Sequence, residues 1–327
     1  MNVSDQYIKN HISRGEYSPE PCSPPDSDCI AYANRTGWMD YRINKHMIFS
    51  HRNNYYTKES FTEGLHTHDY CELLIYISGN VEYINENKVV TPEPYTAIWF
   101  LPGHTHTARL LSASQYERYV IYFSREALEN DGSPSAITDF MNKAFGSAVF
   151  VKEQLTDSLI AALKKSEESA KAGKPFSAFL ACAYIAEAIG IICDSVVMSN
   201  SSPDENDGGN ENALTGEMAE IKEYIDKNYA SIDSASDIAA HFYYSREHLS
   251  RKFKSRFNIS LADYITMRRI NESIRLLGHM SVAEASYSVG FRSQSSYIAA
   301  FRRIFGCLPS EYKKTHFGKN AQPSEKR

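Results

Sequence analysis

The sequence predicts an α+β protein in two domains, a β-rich barrel with attached helices followed by an all-α module. Three observations carry this: a pattern stated twice near the C-terminus, a series of short β-rich runs between Leu65 and Phe123, and a polar segment lying between the two. A length of 327 residues suits two domains, and 42% hydrophobic content allows each a core.

Adding 48 to Ser245, Leu249, Phe253, Phe257 and Tyr264 lands on Ser293, Tyr297, Phe301, Phe305 and Tyr312. Between the Ser and the last Phe of each copy the apolar residues return every fourth position and share one helical stripe. Ser245 and Ser293 stand where a hydroxyl accepts from an orphan amide of the first turn. A shorter helix precedes each long one, Ser236 to His241 and Val282 to Ser288. The pattern is therefore two helix-turn-helix units in tandem. Between them, Tyr264, Ile265, Ile270, Ile274 and Leu277 read as the buried stripe of a connecting helix.

The face opposite each stripe carries Arg246, Glu247, Ser250, Arg251 and Lys254 in the first copy, and Gln294, Ser295, Ser296, Arg302 and Arg303 in the second. These side chains suit phosphates and base edges. Charge agrees. Residues 215 to 327 hold 18 Lys+Arg against 12 Asp+Glu, a net of +6, while the first 214 residues carry −11, so a whole of net charge −5 hides a basic module.

The runs "SREHLSRKFKSRFNISLADYI" and "VGFRSQSSYIAAFRRIFGCLPSEYKK" resemble, in order and spacing, the two recognition segments of the AraC/XylS family of bacterial transcription regulators. The resemblance covers about residues 217 to 316. It implies double-stranded DNA as partner, a small-molecule effector, a homodimer, and RNA polymerase as a candidate partner. It also implies that Glu247, Ser250 and Arg251 read bases while Lys254, Arg302 and Arg303 hold phosphates. Two positions depart from the family. Tyr243 stands where the family has a turn glycine, supplied by Gly290 in the second copy, and Ala299 replaces a common arginine. The first recognition helix is thus expected to carry more of the base readout.

Residues 199–212, rich in Ser, Asp, Asn and Gly, read as a flexible acidic linker. They separate a 1–150 barrel and a 151–198 helical, dimerising segment from a 213–316 DNA-binding domain, with 317–327 as a disordered tail. The N-terminus lacks a signal-like apolar run, and no stretch reaches about 18 uncharged apolar residues. Six cysteines without paired or metal-type spacing fit a reducing compartment. A cytoplasmic protein without membrane contact is expected.

In the first domain, "CELLIYISG", "VEYINENKVV", "YTAIWFLPG" and "YERYVIYFS" are β-rich runs broken by Gly, Asn and Pro. Two helical segments follow from about Val151, the second nearly apolar around its circumference. Inside the β-rich region His66, His68, Glu72 and a distant His106 resemble the motifs of a cupin barrel, and strand alternation would set the first three on one face. Three imidazoles and a carboxylate could ligate Fe, Mn, Ni or Zn. They could equally grip an organic effector by hydrogen bonds, and the second motif departs from the cupin pattern at Tyr95, Leu101 and Leu110. The reading adopted is an effector site without a metal or other cofactor, formed by His66, His68, Glu72, Tyr76, Trp99 and His106. Aromatic rings with imidazole, hydroxyl and carboxylate groups suit a polyhydroxy ligand such as a sugar. The alternative is a metal-dependent cupin enzyme with an accessory DNA-binding domain. An enzyme is not expected, because a third of the chain is spent on reading DNA and no other catalytic motif is present.

Overall fold

The computed structural model describes residues 29–33, 39–124, 148–200, 211–213 and 216–317, apart from residues 59, 62, 63, 69, 87, 152 and 306. Backbone contacts divide it into two compact units, one of Asn2–Thr62 with Tyr70–Ala213 and the other of Leu214–Arg327 with the short segment Glu63–Asp69.

The N-terminal unit runs through β1 (Ile30–Ala33), β2 (Met39–Asn44), β3 (Met47–Tyr56), β4 (Cys71–Ser78), β5 (Val81–Asn85), β6 (Lys88–Val90), β7 (Thr96–Phe100), β8 (His106–Leu110), β9 (Ser114–Phe123), β10 (Ala148–Phe150), α1 (Glu153–Ala172), α2 (Ser177–Asn200) and β11 (Glu211–Ala213). One sheet has the order β1-β2-β3-β9-β4-β7-β10 and the other β11-β6-β5-β8. Leu74, Ile98, Phe100, Val120 and Tyr122 of the large sheet meet Val81, Tyr83 and Ala108 of the small one in the first core. The large sheet buries its other face as well. Leu73, Ile75, Trp99, Ile121 and Phe123 pack against Leu159, Leu163, Ile185 and Ile192 of the two helices.

Burial on both faces is why the first strands escape a sequence reading that begins the barrel at Leu65. Outward positions Phe49 and His51 lie under helices, and inward positions Ser50, Arg52 and Asn54 are polar, so β3 shows no apolar-in, polar-out alternation. The short β8 is likewise not among the runs picked out above.

Helix α2 turns Ala181, Ile185, Ala188, Ile189, Ile192 and Val196 inward and leaves Phe179, Leu180 and Val197 exposed. Its stretch Ser177–Val197 is long and apolar enough to cross a membrane by length and composition, with mean hydropathy 1.8. The packed inward stripe gives that composition a use as a core helix. Where a linker is expected over 199–212, α2 continues to Asn200 and β11 pairs with β6, so Asn212 sits opposite Val89. Residues 201–210 of that linker, and 318–327 of the expected tail, lie outside the described residues.

The C-terminal unit is helical: α3 (Glu217–Asn228), α4 (Ala235–His241), α5 (Arg246–Phe257), α6 (Leu261–Leu277), α7 (Val282–Ser288), α8 (Gln294–Phe305) and α9 (Pro309–Phe317). Short α4 and α7 start at capping boxes, Ser234 with Asp237 and Ser281 with Glu284. Leu249, Phe253 and Phe257 are fully buried, as is their counterpart Tyr297, Phe301 and Phe305. Tyr264 and Tyr312 close the two cores, Tyr264 against Phe253 and Tyr312 against Phe301 and Phe305. Beneath them Lys222, with no exposed surface, reaches Asp226 at 2.8 Å, and Arg268 meets the same carboxylate at 3.0 Å. Asp226 gives the buried ammonium the partner it demands within α3, and Arg268 ties the same carboxylate to α6.

The repeat is one residue out of step. The short helices are offset by 47 residues and the long ones by 48, so the second turn is longer by one residue, Arg292. Its guanidinium reaches Asp233 at 2.9 Å, ahead of α4.

Candidate DNA-reading and effector-binding sites

Both long helices begin at the expected serines. His248 N donates to Ser245 Oγ, and Ser296 N donates to Ser293 Oγ, each at 3.3 Å. Burying one stripe leaves Arg246, Glu247, Arg251 and Lys254 exposed on α5, with Ser250 half-buried beside them. On α8 the exposed set is Gln294, Ser295, Ser296, Arg302 and Arg303. The α5 set forms one continuous polar face, as a groove-reading helix requires, whereas on α8 Ile298 and Ala299 separate the first-turn polar residues from Arg302 and Arg303. Arg303 is partly committed inside the unit, meeting Asp263 at 3.0 Å.

The turns are built alike despite their different residues. Tyr243 N donates to Ala240 O and Tyr244 N to Ala239 O; Gly290 N donates to Tyr287 O and Phe291 N to Ser286 O. Tyr243 takes φ 58° and Gly290 φ 91°. The tyrosine therefore adopts the glycine-type conformation, and the first turn keeps its geometry. Its ring stands 97% exposed. Gly290 has no such freedom, because a Cβ there would lie 2.3 Å from the Ala230 carbonyl oxygen.

In the sensor unit Glu72 and His106 come together, whereas the segment Glu63–Asp69 that carries His66 and His68 is grouped with the C-terminal unit. Strand β4 begins only at Cys71, so His66 and His68 sit in the irregular segment before it. His106 Nε2 lies 3.2 Å from Glu72 Oε2, both buried. His66 Nδ1 donates to the Gly64 carbonyl at 2.8 Å and His106 Nδ1 to the His104 carbonyl at 3.1 Å. These backbone bonds orient the two rings, and His106 turns its Nε2 to the Glu72 carboxylate. The His106 imidazole beside the Glu72 carboxylate fits a divalent transition metal, which would be ligated by both. It fits the hydroxyl groups of an organic ligand equally well.

Tyr76 faces the same interior, its hydroxyl donating to the Gly79 carbonyl at 2.6 Å. Trp99 is not brought to this group: it packs 4.9 Å from Phe123 in the helix-side core. Alternation along β7 puts Phe100 inside instead, stacked on His106 at 4.1 Å. The register, with Glu72 opposite Phe100, makes the phase plain. The sequence reading also passed over Arg52 and Arg118, buried on the interior face of β3 and β9.

Comparison with known proteins agrees with both halves. Residues 48–172 match the AraC-like ligand binding domain, and residues 238–315 a helix-turn-helix domain. The activator AarP of Providencia stuartii is 32% identical over 105 residues, which span 32% of this chain and 78% of that protein. The chain belongs to the AraC family of transcriptional regulators. An uncharacterised family regulator of Bacillus subtilis, YfiF, is 23% identical over 265 residues, 77% of this chain and 82% of its own. The Msm operon regulatory protein of Streptococcus mutans is 35% identical over 97 residues, 29% of this chain, and the match spans about a third (35%) of that protein. These relatives are regulators and lend the metal-dependent enzyme no support.

Proposed function

We propose that this AraC-family chain is a cytoplasmic, effector-responsive regulator that reads double-stranded DNA as a homodimer. The observation that carries the reading is the pairing, in one chain, of a polar group inside a barrel with two capped helices presenting basic polar faces. The sensor binds a small polar organic molecule through His66, His68, Glu72, Tyr76 and His106. The readers α5 and α8 enter successive major grooves, about 34 Å apart. Glu247, Ser250 and Arg251 contact base edges; Arg246, Lys254 and Arg302 hold phosphate.

Dimerisation uses the outward face of α2, where Phe179, Leu180 and Val197 expose apolar surface that a soluble unit covers. Ile185 and Ile189 belong to the core and do not form this face. The effector regulates by binding one arrangement of the dimer better than another, and its differential affinity sets the size of the switch. RNA polymerase is the candidate partner at the promoter.

Effector binding is read as hydrogen bonding without a metal. Stoichiometric transition metal in natively purified protein, lost together with effector binding in His66→Ala and His106→Ala, would replace that reading. Selection of duplexes from a random library, followed by gel-shift titration, tests the regulator itself. A chain that retains no duplex over scrambled DNA is not one.

A further inference from the structure

On the interior face of the large sheet, Arg52 of β3 stands directly opposite Arg118 of β9, and Tyr76 of β4 stands opposite Arg118 on its other side. They share a pleat face with Ile48, Tyr56, Val120 and Tyr122, which line the core between the two sheets. Only 9% of Arg52 and 3% of Arg118 is exposed. Arg52 reaches the fully buried Asp40 at 3.4 Å and donates from Nε to Ser50 Oγ at 3.1 Å. Arg118 lays its guanidinium 3.9 Å from the centre of the Tyr116 ring.

Like charges directly opposite on paired strands destabilise a sheet, and burying a guanidinium forfeits its hydration. Stability alone would put apolar side chains at both positions. Where a sequence breaks a local rule at a buried and costly place, the break marks a functional site. Guanidinium is also the group whose rigid fork of donors matches a carboxylate or phosphate two bonds at a time, and it stacks on rings without losing that capacity.

Glu72 and Tyr76 lie four residues apart on β4, so the imidazole–carboxylate group and the arginine pair are separated by about 13 Å along the strand. Tyrosines 76, 83, 116 and 122 line the core between the sheets. We propose that the effector is an acid, a polyhydroxy compound with a carboxylate or phosphate, whose anionic end is received by Arg118 and Arg52. This rests on the reading of the barrel as the effector site and specifies what that site selects.

Thermal shift and titration calorimetry on the full chain test it with matched sets: glucose, glucuronate and glucose 6-phosphate; galactose, galacturonate and galactose 1-phosphate; and acetate and inorganic phosphate alone. An acidic member should bind at least tenfold tighter than its neutral partner, the carboxylate and phosphate arms showing which anion is preferred. Arg118→Gln should abolish that preference and Arg118→Lys should keep part of it, with circular dichroism and DNA gel shifts confirming that both variants fold. The Arg118→Gln comparison also removes any shift caused by anions on the DNA-binding unit. Equal binding of neutral and acidic partners, or a preference that survives in both Arg118→Gln and Arg52→Gln, overturns the inference. If neutral sugars bind and His106→Ala abolishes that binding, the effector site stands and only its acid selectivity falls. If nothing in the panel binds, both fall.

Discussion

The two turns of the DNA-binding unit should respond in opposite directions to glycine. Tyr243 holds φ 58° with its ring 97% exposed, so the residue bears backbone strain and contributes little packing in return. A non-glycine residue in the left-handed region costs about 1–2 kcal/mol. Tyr243→Gly removes that and adds about 0.5–1 kcal/mol of unfolded-chain entropy. The net is a gain of about 0.5–1 kcal/mol, which for a unit of this size raises Tm by about 2–5 °C. Gly290→Ala should do the reverse. Its Cβ would lie 2.3 Å from Ala230 O and 2.9 Å from Ala230 C, atoms of a backbone that cannot swing aside as a side chain would. Overpacking at about 1–3 kcal/mol and the left-handed strain at about 1–2 kcal/mol together predict a loss of about 2–5 kcal/mol. Scanning calorimetry of the full chain reads both changes. Tyr243→Ala is the control, since it deletes the ring but keeps a Cβ at positive φ, and it should leave Tm near wild type. If Tyr243→Ala stabilises as much as Tyr243→Gly, the ring and not the backbone is at fault; if Gly290→Ala melts with the wild type, the close approach to Ala230 is not binding.

Three further outcomes follow from other parts of the chain. Arg251→Ala should cost about 1–3 kcal/mol on a selected operator and relax one base preference, whereas Arg302→Ala should weaken all duplexes alike and shrink the salt slope by about one; equal losses on operator and scrambled DNA for Arg251→Ala would reverse the assignment. Phe179→Lys with Val197→Lys should give monomers in sedimentation at low micromolar concentration with the barrel folded, while Ile185→Lys should unfold the sensor; a persistent dimer in the double variant places the contact elsewhere. His51 bridges β3, β9 and α1, donating to Glu117 and Glu167 at 2.9 Å each beneath the stacked ring of Tyr119, with Lys171 and Tyr41 also near Glu167. Burial pulls its pKa down, but the bonds to Glu167 and Glu117 outweigh that and raise it above 6.5. Burial likewise pushes Glu167 up, and His51 and Lys171 bring it below 4.5. A raised histidine contributes fully below 6.5 and loses its contribution as pH rises through the raised value, and a lowered carboxylate contributes above 4.5 and loses it as pH falls through the lowered one. The Tm advantage of wild type over His51→Gln should therefore be greatest between about pH 4.5 and 6.5 and shrink by pH 9, and a difference flat across that range would show that the bridge carries no charge.

The DNA-binding unit was legible almost throughout because its information is local. A stripe every fourth residue, a serine at each start and a copy of the whole pattern set each helix without long-range knowledge, and Leu249, Phe253 and Phe257 are buried together with their counterparts. The one-residue slip was harder to see. It falls in the turn, where Arg292 is an ordinary polar loop residue until Asp233, 59 positions earlier, turns out to meet it.

The barrel was legible at its best-defined strands and failed where one strand is buried on both faces. Alternation reads a charged residue in a strand as facing water, because in most sheets one face does. In β3 the outward positions pack under helices and the inward ones are Ser50, Arg52 and Asn54, so the rule inverts. Trp99 has only its aromatic ring to recommend it as a site residue, and pairing with β4 fixes Phe100, not Trp99, to the face of Glu72. Pairing is the information a single sequence lacks, since shifting a strand by one residue exchanges its two faces. Once the register is known, the polar interior positions cease to be anomalies. An imidazole–carboxylate group beside one end of β4 and two facing guanidiniums beside the other are costs that a barrel built only to be stable would not carry, and their placement on one interior face is what points the sensor toward an acidic ligand.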